Sequence, residues 1–142
     1  MTQVNRNLLF YLALSTNVLI IGCVGEEDTF RSKELISSKG EKLYINTLNW
    51  GVTDDYQFTM VTKDMNKLKS RSDTSDAIKG IEPFIYKFSG DTLFLYAKKE
   101  IKIAVQDSFK TIKIICEQVD NSDYNNLTYK AGKGVEGYQL IP

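Results

Sequence analysis

The chain has 142 residues, 18 Lys+Arg against 18 Asp+Glu, two Cys and no His, which fits one domain. The neutral charge argues against a nucleic-acid partner, which needs a basic excess to neutralise phosphates. The missing His excludes Ser-His-Asp and Cys-His catalysis and His-ligated metals, and two Cys build neither a structural zinc site nor a disulfide scaffold.

The first 28 residues read as an address. Arg6 precedes an uncharged stretch from Asn7 to Gly25. Within it Leu8 to Leu14 and Val18 to Cys23 are mostly apolar, with Ser15-Thr16-Asn17 between them. A charged start, a short apolar core and a small residue before a processing point are the parts of a secretory signal peptide. The polar break and short length make a transmembrane span the weaker reading. Ile20-Ile21-Gly22-Cys23 resembles the bacterial lipobox: an aliphatic residue, a tolerant position, a small residue at the cut, then Cys. The resemblance implies a lipoprotein signal over residues 1–22 and diacylglycerol on the Cys23 thiol. Several acyl chains then hold the protein on a membrane where one would be marginal. An ordinary cleaved signal with an incidental Cys23 is the alternative. Val24, where Asp would signal inner-membrane retention, points to the outer membrane of the cell envelope. Glu26-Glu27-Asp28 is similar to the surface-export tether of Bacteroidetes lipoproteins; a plain solvated linker reads the same way.

Removing residues 1–22 leaves 120 residues with 17 Lys+Arg against 18 Asp+Glu. Residues 23–40 then read as the lipidated Cys and a polar tether, and residues 41–142 as the domain. Leu43 to Leu48 is rich in β-formers, and Asn49 to Asp55 is rich in turn residues. Tyr56 to Thr62 alternates, with Tyr56, Phe58 and Met60 on one face, as in a half-buried strand. Lys63 to Lys79 is too polar for a core element and reads as a long surface loop with a helical turn near Met65 to Leu68. Its basic half has the chemistry to touch lipid phosphates or an acidic partner.

Phe84 to Phe88 and Thr92 to Ala97 flank Gly90-Asp91, a tight-hairpin signal. Ile101 to Val105 alternates cleanly and predicts a strand. Phe109 to Val119 predicts another, with Cys116 in phase with Ile112 and Ile114 as a small apolar residue. Asp120 to Asn126 reads as a polar loop, and Leu127–Lys130 and Tyr138–Ile141 as closing strands around Gly132-Lys133-Gly134. These elements give an all-β fold: a single antiparallel β-sandwich or small barrel-like domain of seven or eight short strands, without a helix.

Catalysis without His would rest on carboxylates, Lys, Tyr or Ser. Asp54-Asp55 is the densest carboxylate pair, but neighbours in a turn do not face each other across a cleft. Neither that turn nor Asp120-Asn121-Ser122-Asp123 has calcium-loop spacing, so no metal, cofactor or catalytic residue is expected. Tyr44, Trp50 and Tyr56 cluster around one turn and form a candidate platform for a sugar ring or protein partner, unless Trp50 plugs the end of the core.

Asn49 to Gln57, Phe84 to Lys87 and Thr92 to Tyr96 together resemble small uncharacterised lipoproteins of Bacteroidetes-type bacteria. The resemblance carries no activity. It implies one further site, since Asp91-Thr92-Leu93 matches a short O-glycosylation motif with Thr92 as acceptor. The expectation is a non-enzymatic, membrane-anchored binding or structural module that takes a protein or glycan ligand. The alternative is a periplasmic or surface immunity or inhibitor protein against a toxin or hydrolase.

Overall fold

A computed structural model describes residues 28–51 and 56–142. The signal-like segment, Cys23 and Asp54-Asp55 lie outside the described residues. Two four-stranded sheets are formed. The first runs β1 (Thr29–Ile36), β2 (Lys42–Trp50), β3 (Tyr56–Thr62), β4 (Ile78–Lys79), each antiparallel to the next. The second contains β5 (Ile85–Ser89), β6 (Thr92–Ala97), β7 (Lys113–Gln118) and β8 (Tyr138–Leu140), in the order β7-β6-β5-β8. Neither sheet closes on itself, so of the two expected all-β architectures the chain takes the open, two-sheet one.

Period-two alternation builds the core. Leu35, Leu43, Ile45 and Val61 of the first sheet meet Tyr86, Leu93, Leu95 and Ile114 of the second, with Phe84 fully buried among them. Cys116 is half-buried against the same cluster, as its phase with Ile112 and Ile114 requires. The opposite face of β2 is covered too. There Leu48, Met60 and Leu68 form a second, smaller cluster. Leu68 comes from the segment expected as a polar surface loop, and it is fully buried.

The hairpin of β5 and β6 turns at Gly90 and Asp91, both left-handed (φ 56° and 58°). That pair of positive φ values matches the twist of the flanking strands.

The fold departs from the expected all-antiparallel, helix-free chain at three places. Thr29–Ile36, inside the stretch 23–40 read as a polar tether, is the edge strand β1, paired residue for residue with β2. Its composition hides it because an edge strand buries little, and Arg31, Lys33 and Glu34 are the charges that keep such an edge from pairing further.

Second, β6 and β7 are parallel. Thr92 pairs with Lys113 and Ala97 with Gln118, so the chain between them must travel back along the sheet. Ile101–Val105 belongs to that crossover and is not a strand. Its alternation is nonetheless physical, since Ile101, Ile103 and Val105 pack on the core.

Third, Asn121–Gly132 is a helix, α1, not a loop and a strand. The Asp120 carboxylate caps it by accepting from the Asp123 N–H at 2.9 Å. Tyr124, Leu127, Thr128 and Ala131 form its less exposed face at i, i+3, i+4, i+7 spacing. Gly134 (φ 65°) ends it, with Val135 N–H bonded to the Lys130 carbonyl and Gly134 N–H to the Ala131 carbonyl.

Thr59, on the inner side of β3, is fully buried and its hydroxyl has no partner among the described residues. An unbonded buried hydroxyl costs about 1–3 kcal/mol, and an apolar group of the same shape avoids that cost. Thr59→Val is therefore expected to raise the thermal midpoint, with a gain of about 1 kcal/mol. A lower midpoint in a melting experiment would mean that the hydroxyl is bonded after all.

Candidate functional site

The two ends of the sandwich differ in chemistry. At one end the β1–β2 turn is clasped to the second sheet. Glu41 accepts from the backbone N–H groups of Lys110, Thr111 and Ile112 and from the Thr111 hydroxyl. Asp91 accepts from the Ser38 N–H at 2.7 Å and from its hydroxyl. Those bonds hold the Asp91 carboxyl below its usual range. Thr92 stands half-exposed at this end, its hydroxyl 3.3 Å from the Gly90 carbonyl.

The other end is aromatic and cationic, and here the chain enters the domain. Asp28 accepts from Arg71 Nε at 2.9 Å. The Arg71 guanidinium in turn lies 5.2 Å from the centre of the Trp50 ring. Trp50 pairs with Tyr56 across β2 and β3. Its ring runs nearly parallel to Tyr56 at 5.9 Å and to Phe58 at 4.8 Å. Antiparallel pairing of alternating strands puts all three on one face.

Of the three expected platform residues, Trp50 and Tyr56 come together and Tyr44 does not. Tyr44 shares their face but sits six residues along β2, about 20 Å away. It is buried, and its hydroxyl donates to Glu34 at 2.8 Å. Trp50 is half-buried against the smaller cluster on the outer face of the first sheet, not in the core between the sheets. Tyr56 is the open member, 46% exposed, with Lys79 Nζ 5.2 Å from its ring centre.

Lys79 links this row to a cleft of about 520 Å³ between the sheet ends. Ile78, Pro83, Ile101 and Tyr124 give the cleft an apolar floor, and Ile81 stands at its lip, 68% exposed. Lys79, Lys98 and Lys99 line it as well, together with Glu82 and Glu100. Its wall at residues 80–83 is held in an unfavourable backbone shape. Gly80 has φ 138° and Glu82 φ 48°, immediately before Pro83. A left-handed Glu persists only when its surroundings impose it. Here Tyr124 imposes it, donating from its hydroxyl to the Glu82 carbonyl at 2.8 Å. Burial pushes the Tyr124 phenol up from its ordinary value, which keeps it a neutral donor. The short helix α1 thus serves the cleft, since its one buried residue props the wall.

The Asp120-Asn121-Ser122-Asp123 oxygens are spent on the helix N-terminus, as Asp120 shows. Among the described residues no three His, Cys, Asp or Glu side chains gather around one point. No sequence motif singles out the cleft lysines, two of which fall between the runs Thr92 to Ala97 and Ile101 to Val105. The signal available was the break from alternation at the end of β6, with two cations together. Comparison with known proteins finds no matching family model, curated protein or solved structure.

Proposed function

We propose that the chain is a lipid-anchored protein of the bacterial cell envelope, on the outer membrane, whose β domain binds a ligand and catalyses no reaction. The observation that carries the binding reading is the cleft, apolar on its floor and cationic on its rim, beside the Tyr56–Trp50–Phe58 row. A concave, partly apolar pocket with a few polar groups is the usual form of a ligand site. The anchor reading rests on Ile20-Ile21-Gly22-Cys23 at the end of an N-terminal apolar run. The two readings fit one geometry. Asp28 is five chain steps from Cys23, a reach of at most about 18 Å, so the cleft end of the domain would lie close to the membrane.

Metabolic labelling with palmitate tests the anchor. The native chain is expected to take up label and sediment with membranes. Cys23→Ala is expected to take up none. Label that persists in the variant, or is missing from the native chain, would remove Cys23 from its assigned role.

A further inference from the structure

We propose that the cleft between the sheet ends binds an amphipathic monoanion, a ligand with a carboxylate or phosphate head on a short apolar body. This deepens the binding reading of the same site and rests on it, but not on the lipid at Cys23. Lys79, Lys98 and Lys99 line the cleft, and none of them has a carboxylate within 4.0 Å among the described residues. Two are held by aromatic faces instead. Lys98 Nζ stands 4.7 Å from the centre of the Tyr124 ring, and Lys79 Nζ 5.2 Å from that of Tyr56. A ring face fixes an ammonium group without neutralising it, so the charge stays available to a ligand. Elsewhere among the described residues Lys42, Lys63, Lys67 and Lys130 each meet a carboxylate, while Lys69 and Lys87 also rest on an aromatic ring without one.

The number of charges sets the class of anion. Glu82 and Glu100 line the same cleft as Lys98 and Lys99, while Lys79 stands at its edge with its ammonium group over Tyr56 on the outer face of the first sheet. Two neighbouring ammonium groups outside any ion pair suit one negative head, and the two carboxylates disfavour a polyanion. The apolar half of the ligand follows from the floor. Ile78 and Ile101 are half-buried, and Ile81 exposes most of its side chain at the lip. An apolar body laid there takes that surface out of water. The strained, propped wall at residues 80–83 is fixed before any ligand arrives, which lowers the entropic cost of binding.

The test titrates the full-length protein, in phosphatidylcholine nanodiscs where it purifies with lipid and in plain buffer where it does not, against four probes below their micellar concentrations. They are octyl phosphate, octanoate, octyl glucoside and inorganic phosphate, with empty nanodiscs as the blank. Calorimetry reads binding, and the fluorescence of Trp50, the single Trp, reads the adjoining row. Octyl phosphate or octanoate is expected to bind at least about tenfold more tightly than octyl glucoside or inorganic phosphate. Preference between the two anionic heads identifies the source, lipid phosphate or fatty carboxylate. Lys98→Gln with Lys99→Gln is expected to weaken the anions about tenfold and leave the melting curve in place. Ile81→Ser, at an exposed position, is expected to weaken octyl phosphate and octanoate as well. Equal binding of octyl glucoside, or unchanged anion binding in the double lysine variant, overturns the ligand class and leaves a binding cleft. Failure of all four probes overturns both the class and the binding reading.

Discussion

Asn46→Leu is expected to destabilise the domain by about 3 kcal/mol and to release the 63–77 segment from the first sheet. Asn46 is fully buried in β2 on the face away from the main core. Its Nδ2 donates to the Lys67 carbonyl at 2.7 Å and the Asp64 carbonyl at 3.1 Å, and its Oδ1 accepts from the Ser32 hydroxyl at 2.6 Å. One side chain thus ties β1 and the long connection to β2. Leucine matches its size and none of its bonds, so two backbone carbonyls and a hydroxyl lose their partner at once. The Ser32 hydroxyl, exposed on β1, turns to water, but a carbonyl left unmet where water cannot reach it costs about 1–3 kcal/mol. The segment also stores strain, because Leu68 is left-handed at φ 73°, a shape that L residues with bulky side chains avoid. Burial of that leucine offsets the strain only while the loop is pinned. Once the pin is lost, Leu68 and Arg71 are expected to leave together. Trp50, against which Arg71 rests, then reports the event by a red-shifted emission. Urea unfolding gives the energy. A change of under about 0.5 kcal/mol, the ordinary range for surface substitutions, would show that the pin carries no stability.

What could be read in advance follows from the range of the interactions. The β5–β6 hairpin was legible because its turn is local, with Gly90 and Asp91 both accepting positive φ between alternating runs. β2 and β3 were legible because both carry strong β-formers. β1 was not, because its partner supplies the burial and most of its own residues, Leu35 apart, face solvent. The 101–105 alternation reported a real burial pattern but not a ladder. Nothing local in those residues says that β7 will pair parallel to β6 and turn the segment into a crossover. The helix carried two local signals, the Asp120 cap and a narrow stripe from Tyr124 to Ala131. They were outweighed by a run of Asn, Ser, Asp and Thr that favours turns.

The site divides in the same way. Trp50 and Tyr56 are close in sequence and pair across β2 and β3, so their meeting was legible, and Tyr44 was drawn into the group by nearness in sequence. In an extended strand six residues are a long distance, and that geometry removes it. The cleft lysines come from β4 and from the chain after β6, which only the packing of the two sheets brings together. The Tyr124 prop under Glu82 spans 42 residues and had no sequence signal.

Acid should undo the other end of the domain through Glu41. Its carboxylate gathers N–H groups from three successive residues, the Thr111 hydroxyl at 2.7 Å and the Lys63 ammonium at 3.3 Å. The donors at Lys110 and Thr111 hold its carboxyl at about 2, below the ordinary 4.5. A carboxyl that is more acidic when folded stabilises the fold while it is ionised. That contribution is complete above about 4.5 and is lost as the pH falls toward about 2. Asp28, Glu34 and Asp91 are held low by Arg71, Lys42 and Ser38 respectively, so the native chain softens in acid for several reasons. Glu41→Gln isolates one of them. The amide keeps the shape, loses the charge and turns an NH2 group toward a nest of donors. At neutral pH the variant is expected to melt well below the native chain. Between pH 4.5 and 2 the gap should narrow, because protonation removes from the native chain what the mutation has already removed. Melting curves that stay parallel through that window would mean that Glu41 joins the two sheets by shape alone. A gap that closes would make this end of the β1–β2 turn the acid-sensitive joint of the sandwich.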